Sequence, residues 1–171
     1  ILISAAFDHE EVGSHTKNGA AGPLLEQVLQ RCALAGEEKD SYQRMLAASS
    51  CLSADVAHSV NPNYPEKHDP DTRPIMGNGP VLKLNASQHY STDAYGWHLW
   101  EDAARRSGVN TQRFVSKNTV TCGSTIAPMI STRLGITTID VGVPILSMHS
   151  AREMCSLNDQ VEMAKIMRAY R

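Results

Sequence analysis

Two periodicities alternate along this chain, and their order is the first clue to its architecture. Residues 1–7 form an apolar run that reads as a strand, and Leu24, Leu25, Val28, Leu29 and Cys32 then recur at helical spacing up to a stop at Gly36. Tyr42, Met45 and Leu46 continue as a second helical stretch, and residues 50–56 read as a strand whose exit carries Asp55 and His58. Residues 61–79 contain Pro62, Pro65, Pro70, Pro74, Gly77 and Gly79, a density that predicts an ordered loop or flap rather than a regular element. In residues 81–85 the period is two, so Val81, Lys83 and Asn85 share one face and Leu82 and Leu84 the other. A helix follows from an N-cap at Thr92 through Trp97, Trp100 and Ala104 to Gly108, and residues 113–116 read as a short strand. Cys122-Gly123-Ser124-Thr125 leads into a helix carrying Ile126, Met129, Ile130 and Leu134. Residues 136–141 form the clearest strand, which passes through Gly142 and Pro144 to Ser147-Met148-His149-Ser150. A final helix is expected to carry Arg152, Glu153 and Met154 away. Short strands alternating with helices predict an α/β fold, an α/β/α sandwich with a mixed, largely parallel sheet.

Composition narrows the function. A chain of 171 residues suits one domain, and 16 Lys and Arg against 18 Asp and Glu give a net charge of −2 with no basic stripe, so no nucleic-acid partner is expected. The four cysteines, Cys32, Cys51, Cys122 and Cys155, are scattered without a C-x-x-C pair, which argues against a disulfide framework and for a reducing, cytoplasmic setting. No run approaches the roughly 20 apolar residues of a membrane span. The apolar start lacks an initiating Met and a charged leader, and reads as the middle of a longer protein.

Chemistry concentrates where strands end. Glu10, Glu11, Asp55 and His149 lie at or just beyond three different predicted strand ends. In an open α/β sheet such ends line the ligand crevice, so residues distant in sequence meet there. Oxygen and imidazole donors suit zinc, and shared carboxylates suit two metals about 3.5–4 Å apart, the arrangement of a hydrolase. Of the adjacent pair, one carboxylate can ligate while its neighbour moves a proton.

These residues also carry a resemblance. Asp8-His9-Glu10-Glu11-Val12-Gly13-Ser14, Ser53-Ala54-Asp55-Val56-Ala57-His58 with Pro62-Asn63-Tyr64 and Lys67-His68, Cys122-Gly123-Ser124-Thr125-Ile126, and Met148-His149-Ser150 followed by Arg152-Glu153-Met154 resemble the aspartyl aminopeptidases, which are di-zinc exopeptidases. The likeness spans nearly the whole chain, in order. It implies that Glu10 is the general base, that Glu11 and His149 bind one zinc and that Asp55 binds the other. It further implies that a bridging aspartate, a second histidine and a dimerisation domain lie upstream in such enzymes, without counterparts here. Residues 1–171 are then the C-terminal part of one catalytic domain, inactive alone, from an enzyme that forms a large homo-oligomer, dimer-based and up to a dodecamer.

An enzyme that removes acidic N-terminal residues needs a cation in its side-chain pocket, and the resemblance gives that role to Lys83, whose alternative is a surface lysine on an edge strand. By the same likeness Tyr90 and His58 contact the peptide substrate. His9, Asp8, Arg152 and Glu153 are expected to support the site. His15, His68, His89 and His98 read as solvated loop histidines, and Trp97 and Trp100 as core or subunit contacts. Two other readings stay open: a non-catalytic fragment or degenerate subunit of the same fold, and an aminopeptidase preferring neutral residues.

Overall fold

The computed structural model describes residues 1–33 and 40–170. Its regular elements are α1 (Leu24–Ala33), α2 (Ser41–Ala47), β1 (Ser50–His58), β2 (Val81–Leu84), α3 (Ala94–Ser107), β3 (Gln112–Val115), α4 (Ala127–Leu134), β4 (Thr137–Leu146), β5 (Met154–Cys155) and α5 (Leu157–Ala169). Single 3₁₀ turns occupy Glu10–Val12 and Pro65–Lys67.

The sheet is organised around β4, whose residues are buried along almost its full length. It runs parallel to β1 through nine paired positions, while β2 runs parallel to β3 through four. The antiparallel joints are shorter, two positions between β2 and β4 and two between β4 and β5. The order is thus β1-β4-β2-β3, mixed but mostly parallel.

Alternation along β4 sorts its residues onto two faces. Ile139, Val141, Val143 and Ile145 join Leu82 against Trp100, Ala103 and Ala104 of α3 and Met163 and Ile166 of α5. Behind the other face, Ile130 and Leu134 of α4 and Ile136 pack with Leu25 and Leu29 of α1 and Leu46 of α2. Helices therefore cover both sides, as the alternating periodicities imply. Trp100, Leu82, Ile139, Val141 and Ile166 are fully buried, and each such side chain contributes roughly 1.5–3 kcal/mol through removal from water.

Several boundaries differ from the sequence expectation. Residues 1–7 form no strand: Ile1 is 96% exposed, and the segment pairs with no strand among the described residues. An apolar run becomes a strand only where a neighbour takes its backbone hydrogen bonds, and of this run only Phe7 reaches the core. The N-cap of α3 is Asp93, whose carboxylate accepts from the Gly96 amide at 2.7 Å. Thr92 is diverted to accept from the Asp140 amide at 2.9 Å. β4 continues through Gly142 and Pro144 to Leu146, beyond the end expected at Val141. Pro144 falls between the β2 and β5 ladders, so its missing N–H costs neither of them a bond. Arg152 lies in a turn, Glu153 just after it and Met154 in β5, because α5 begins only at Leu157. The proposed stop at Gly36 lies outside the described residues.

The proline-rich segment 61–79 is an ordered loop, as its composition suggests. The buried Asp159 of α5 accepts from the amides of Gly77 and Gly79 at 2.7 and 2.9 Å, and the Gln112 side chain bonds Ile75 and Gly79. Those contacts pin the far end of the loop, leaving its 3₁₀ turn beside the site.

Candidate active site

Strand register brings the first two residues together. Asp55 of β1 and Val81 of β2 both pair with Gly142 of β4, so Asp55 and Lys83 stand on one face with a single strand between them. Lys83 is only 4% exposed, and a buried ammonium needs a partner. It finds one by reaching over β4 to the Asp55 carboxylate. Gly142 lets β1 approach β4 closely; a Cβ there would lie 2.5 Å from the Val56 carbonyl carbon. Burial pushes the Asp55 carboxyl above its ordinary pKa, against the opposing pull of Lys83. Lys83 also sits 5.5 Å from the centre of the Tyr90 ring.

Glu10 and Glu11 arrive on the 3₁₀ turn instead of a strand end. His9 and Gly13 bracket it with φ of 64° and 100°, and this reversal turns both carboxylates into the same cleft. The amide of Ser14 donates to the His9 carbonyl at 2.8 Å, closing the turn, and His9 Nδ1 lies 2.9 Å from Thr16 Oγ1. Asp8 accepts from Asn18. Burial raises the Glu10 pKa, and the charges of Glu11 and Asp55 raise it further against Lys83 and His149. A carboxylate shifted upward is a better proton acceptor, as a general base requires.

His149 follows the end of β4 on a backbone held at φ of 66°, with Ser147 at 59°. Left-handed conformations cost non-glycine residues on the order of 1–3 kcal/mol and persist where surrounding contacts impose them. Here Glu153 accepts from the His149 amide, so this acid does support the histidine, while Ser150 Oγ bonds the Arg152 amide. The result places His149 Nε2 3.1 Å from Glu11 Oε2. Two ligand atoms on one tetrahedral zinc stand about 3.3 Å apart, so this donor pair fits zinc in chemistry and spacing. Among the described residues no three His, Cys, Asp or Glu side chains converge to hold a metal.

All seven residues singled out from the sequence, Glu10, Glu11, Asp55, His58, Lys83, Tyr90 and His149, line one cavity of about 740 Å³. Three features of its wall escaped sequence reasoning. Phe114 of β3 is the hub of a ring cluster, with the centroids of His68, Tyr90 and His58 at 6.1, 6.2 and 6.3 Å. His68, read from sequence as solvated, is only 8% exposed and packs edge-on against Phe114. Cys122 accepts from Ser116 Oγ at 2.9 Å beside Tyr90. Burial lowers the pKa of His58 and, helped by its neighbours, raises that of Tyr90. His15, His89 and His98 are exposed, while Trp100 is core.

The family model for aminopeptidase I zinc metalloproteases, M18, matches residues 1–170. The chain belongs to this M18 family. A probable M18 family aminopeptidase 2 of Streptomyces avermitilis is 46% identical over 173 residues, covering 99% of this chain and 40% of the relative. Among solved structures, a chain of the complex of Ape4 and Nbr1 superposes with a TM-score of 0.95 at 38% identity, covering 96% of this chain and 31% of that one. The mApe1 dodecamer of S. cerevisiae gives 0.83 at 36% identity, covering 96% of this chain and 36% of that one. The chain thus spans about 40% of the length of curated M18 relatives such as these. Zinc is the family's metal, in keeping with the Glu11 and His149 pair. No described helix is long and apolar enough to cross a membrane.

Proposed function

We propose that the protein containing these residues is a zinc aminopeptidase that releases Asp or Glu from peptide N-termini, and that residues 1–171 are the C-terminal part of its catalytic domain. The observation that carries this reading is the meeting of Glu10, Glu11, Asp55, His149 and the buried Lys83 in one cavity of an M18 chain. Glu11 and His149 would hold one zinc and Asp55 a second, with the remaining ligands drawn from parts of the enzyme beyond these residues. Zinc, when bound, supplies a Lewis acid that polarises the scissile carbonyl and acidifies water.

The chain's own groups do the rest. Glu10 takes the proton of the attacking water and passes it to the leaving amine, the role that its raised pKa and position favour. Lys83 pairs with the carboxylate of an Asp or Glu side chain once Asp55 is engaged elsewhere. His58, kept neutral by burial, and Tyr90, kept protonated, hydrogen-bond the substrate from the Phe114 wall. By likeness to the yeast dodecamer, the working enzyme is a large homo-oligomer. A cytoplasmic setting belongs to the same reading and rests on the scattered cysteines of the sequence.

The test is turnover of aspartyl, glutamyl and leucyl anilides by the whole protein, with its zinc content measured before and after chelation. The expected result is acidic-selective activity that chelation abolishes and zinc restores. Faster leucyl turnover would replace the acidic specificity with a neutral one, and chelator-resistant activity would remove the metal mechanism.

A further inference from the structure

His68 is out of keeping with its surroundings. It is only 8% exposed, yet neither ring nitrogen makes a hydrogen bond of good geometry among the described residues, the His58 backbone lying close enough to favour the charged ring without completing that bond. Leaving a buried polar atom unpaired costs roughly 1–3 kcal/mol, and native interiors seldom tolerate it. The ring does not belong to the sealed core: it lines the same open cavity as Glu10 and Lys83. Around Phe114 it holds a position equivalent to His58 and Tyr90, with a centroid distance within 0.2 Å of theirs. Two of the three rings on this hub already have a proposed use.

The charge nearby indicates what the third would bind. Lys67 precedes His68, and Lys117 ties itself to the same turn by donating to the Glu66 carbonyl at 2.7 Å. Both lysines line the cavity, and neither forms an ion pair among the described residues. The carboxylates lining that cavity are Glu10, Glu11 and Asp55, and two of these already face His149 and Lys83. This stretch of wall therefore offers an imidazole and two cations to the cavity, while the flanking acids Glu66 and Asp69 do not line it.

We infer that His68 is a substrate contact, donating its ring N–H to a carboxylate that lies beyond the residue being released, with Lys67 and Lys117 sharing the negative charge. The inference rests on the aminopeptidase reading and adds a second anionic subsite to the one at Lys83. Such a carboxylate is either the C-terminus of a short peptide or an acidic side chain at the second position.

Four compounds beginning with Asp separate the sources when cleaved by the whole enzyme: aspartyl anilide, aspartyl-alanine, aspartyl-alanine amide and aspartyl-glutamate amide. His68→Ala is expected to raise KM about tenfold where the second carboxylate is present, the size of one hydrogen bond to a charged group, and to leave the others within twofold. His68→Gln keeps an N–H donor and should recover most of the loss. A penalty confined to aspartyl-alanine assigns the C-terminus, and one confined to aspartyl-glutamate amide assigns the side chain. Equal losses on all four compounds, or none on either acid, would overturn the inference. Should the wild-type protein cleave none of them, the acidic-aminopeptidase reading fails by itself, and calorimetry with N-acetyl-alanine and its amide decides about His68. Binding of the acid that disappears in His68→Ala supports the contact; equal binding of acid and amide rejects it.

Discussion

Lys83 and Asp55 stand on strands that do not touch, and their side chains meet over β4. The pairing joins the residue assigned to substrate selection to a residue assigned to metal. Neither is free while the contact holds, so on the proposed reading engagement of Asp55 by zinc would release Lys83 for an incoming carboxylate.

Substituting Lys83→Ala in the whole protein should lower kcat/KM for aspartyl anilide by about 10- to 100-fold, the range of a charged hydrogen bond in a desolvated site. Turnover of leucyl anilide should change far less. The ratio of the two is the measurement, and equal losses would assign Lys83 to holding Asp55 instead of selecting substrate.

Glu10→Gln keeps the side chain's size and removes its basicity. The expected effect is a fall in kcat by about 10²–10⁴-fold, the usual contribution of a general base, with KM and bound zinc nearly unchanged. Loss of zinc from this variant would show that Glu10 is a ligand, and that the proton transfer belongs to another group.

The parts of the site set by period or spacing were legible in the sequence. Lys83 falls on the face opposite Leu82 and Leu84, as a period of two requires, and His149 follows a strand rich in β-branched residues. What was illegible depended on partners. Residues 1–7 have a strand's composition but no neighbouring strand. Thr92 and Asp93 are both good caps, and only the Asp140 amide, distant in sequence, decides between them. His68 sits in a proline-rich stretch whose pattern says nothing about packing, and its burial is set by Phe114 on β3.

Asp140 gives a pH test of the same region. Its carboxylate is buried beneath the site, accepting from the Ser91 amide at 2.7 Å and from the Thr125 hydroxyl, and burial pushes its pKa from 3.8 to about 6. Below pH about 4 both folded and unfolded chains keep this proton, so its contribution to stability is fully present. As pH rises from 4 to 6 the unfolded chain ionises first, and stability should fall by an amount on the order of 3 kcal/mol before levelling. Asp140→Asn cannot ionise, so urea melts across this window should lack that fall. An unchanged slope in the variant would place the titration on another group.

Gly142 permits the whole arrangement, and its replacement tests the geometry without touching a charged residue. It pairs with Asp55 and with Val81, and it lies on the face that Lys83 must cross. A Cβ added there would sit 2.5 Å from the Val56 carbonyl carbon and 2.8 Å from the Ala57 nitrogen, both backbone atoms that cannot rotate away. Gly142→Ala therefore forces β1 away from β4, at a cost of about 1–3 kcal/mol typical of overpacking. The displaced strand carries Asp55 with it, so a lower melting temperature should accompany a loss of acidic-substrate turnover larger than the loss of fold explains. A variant as stable and active as the wild type would show that the two strands are not held this closely.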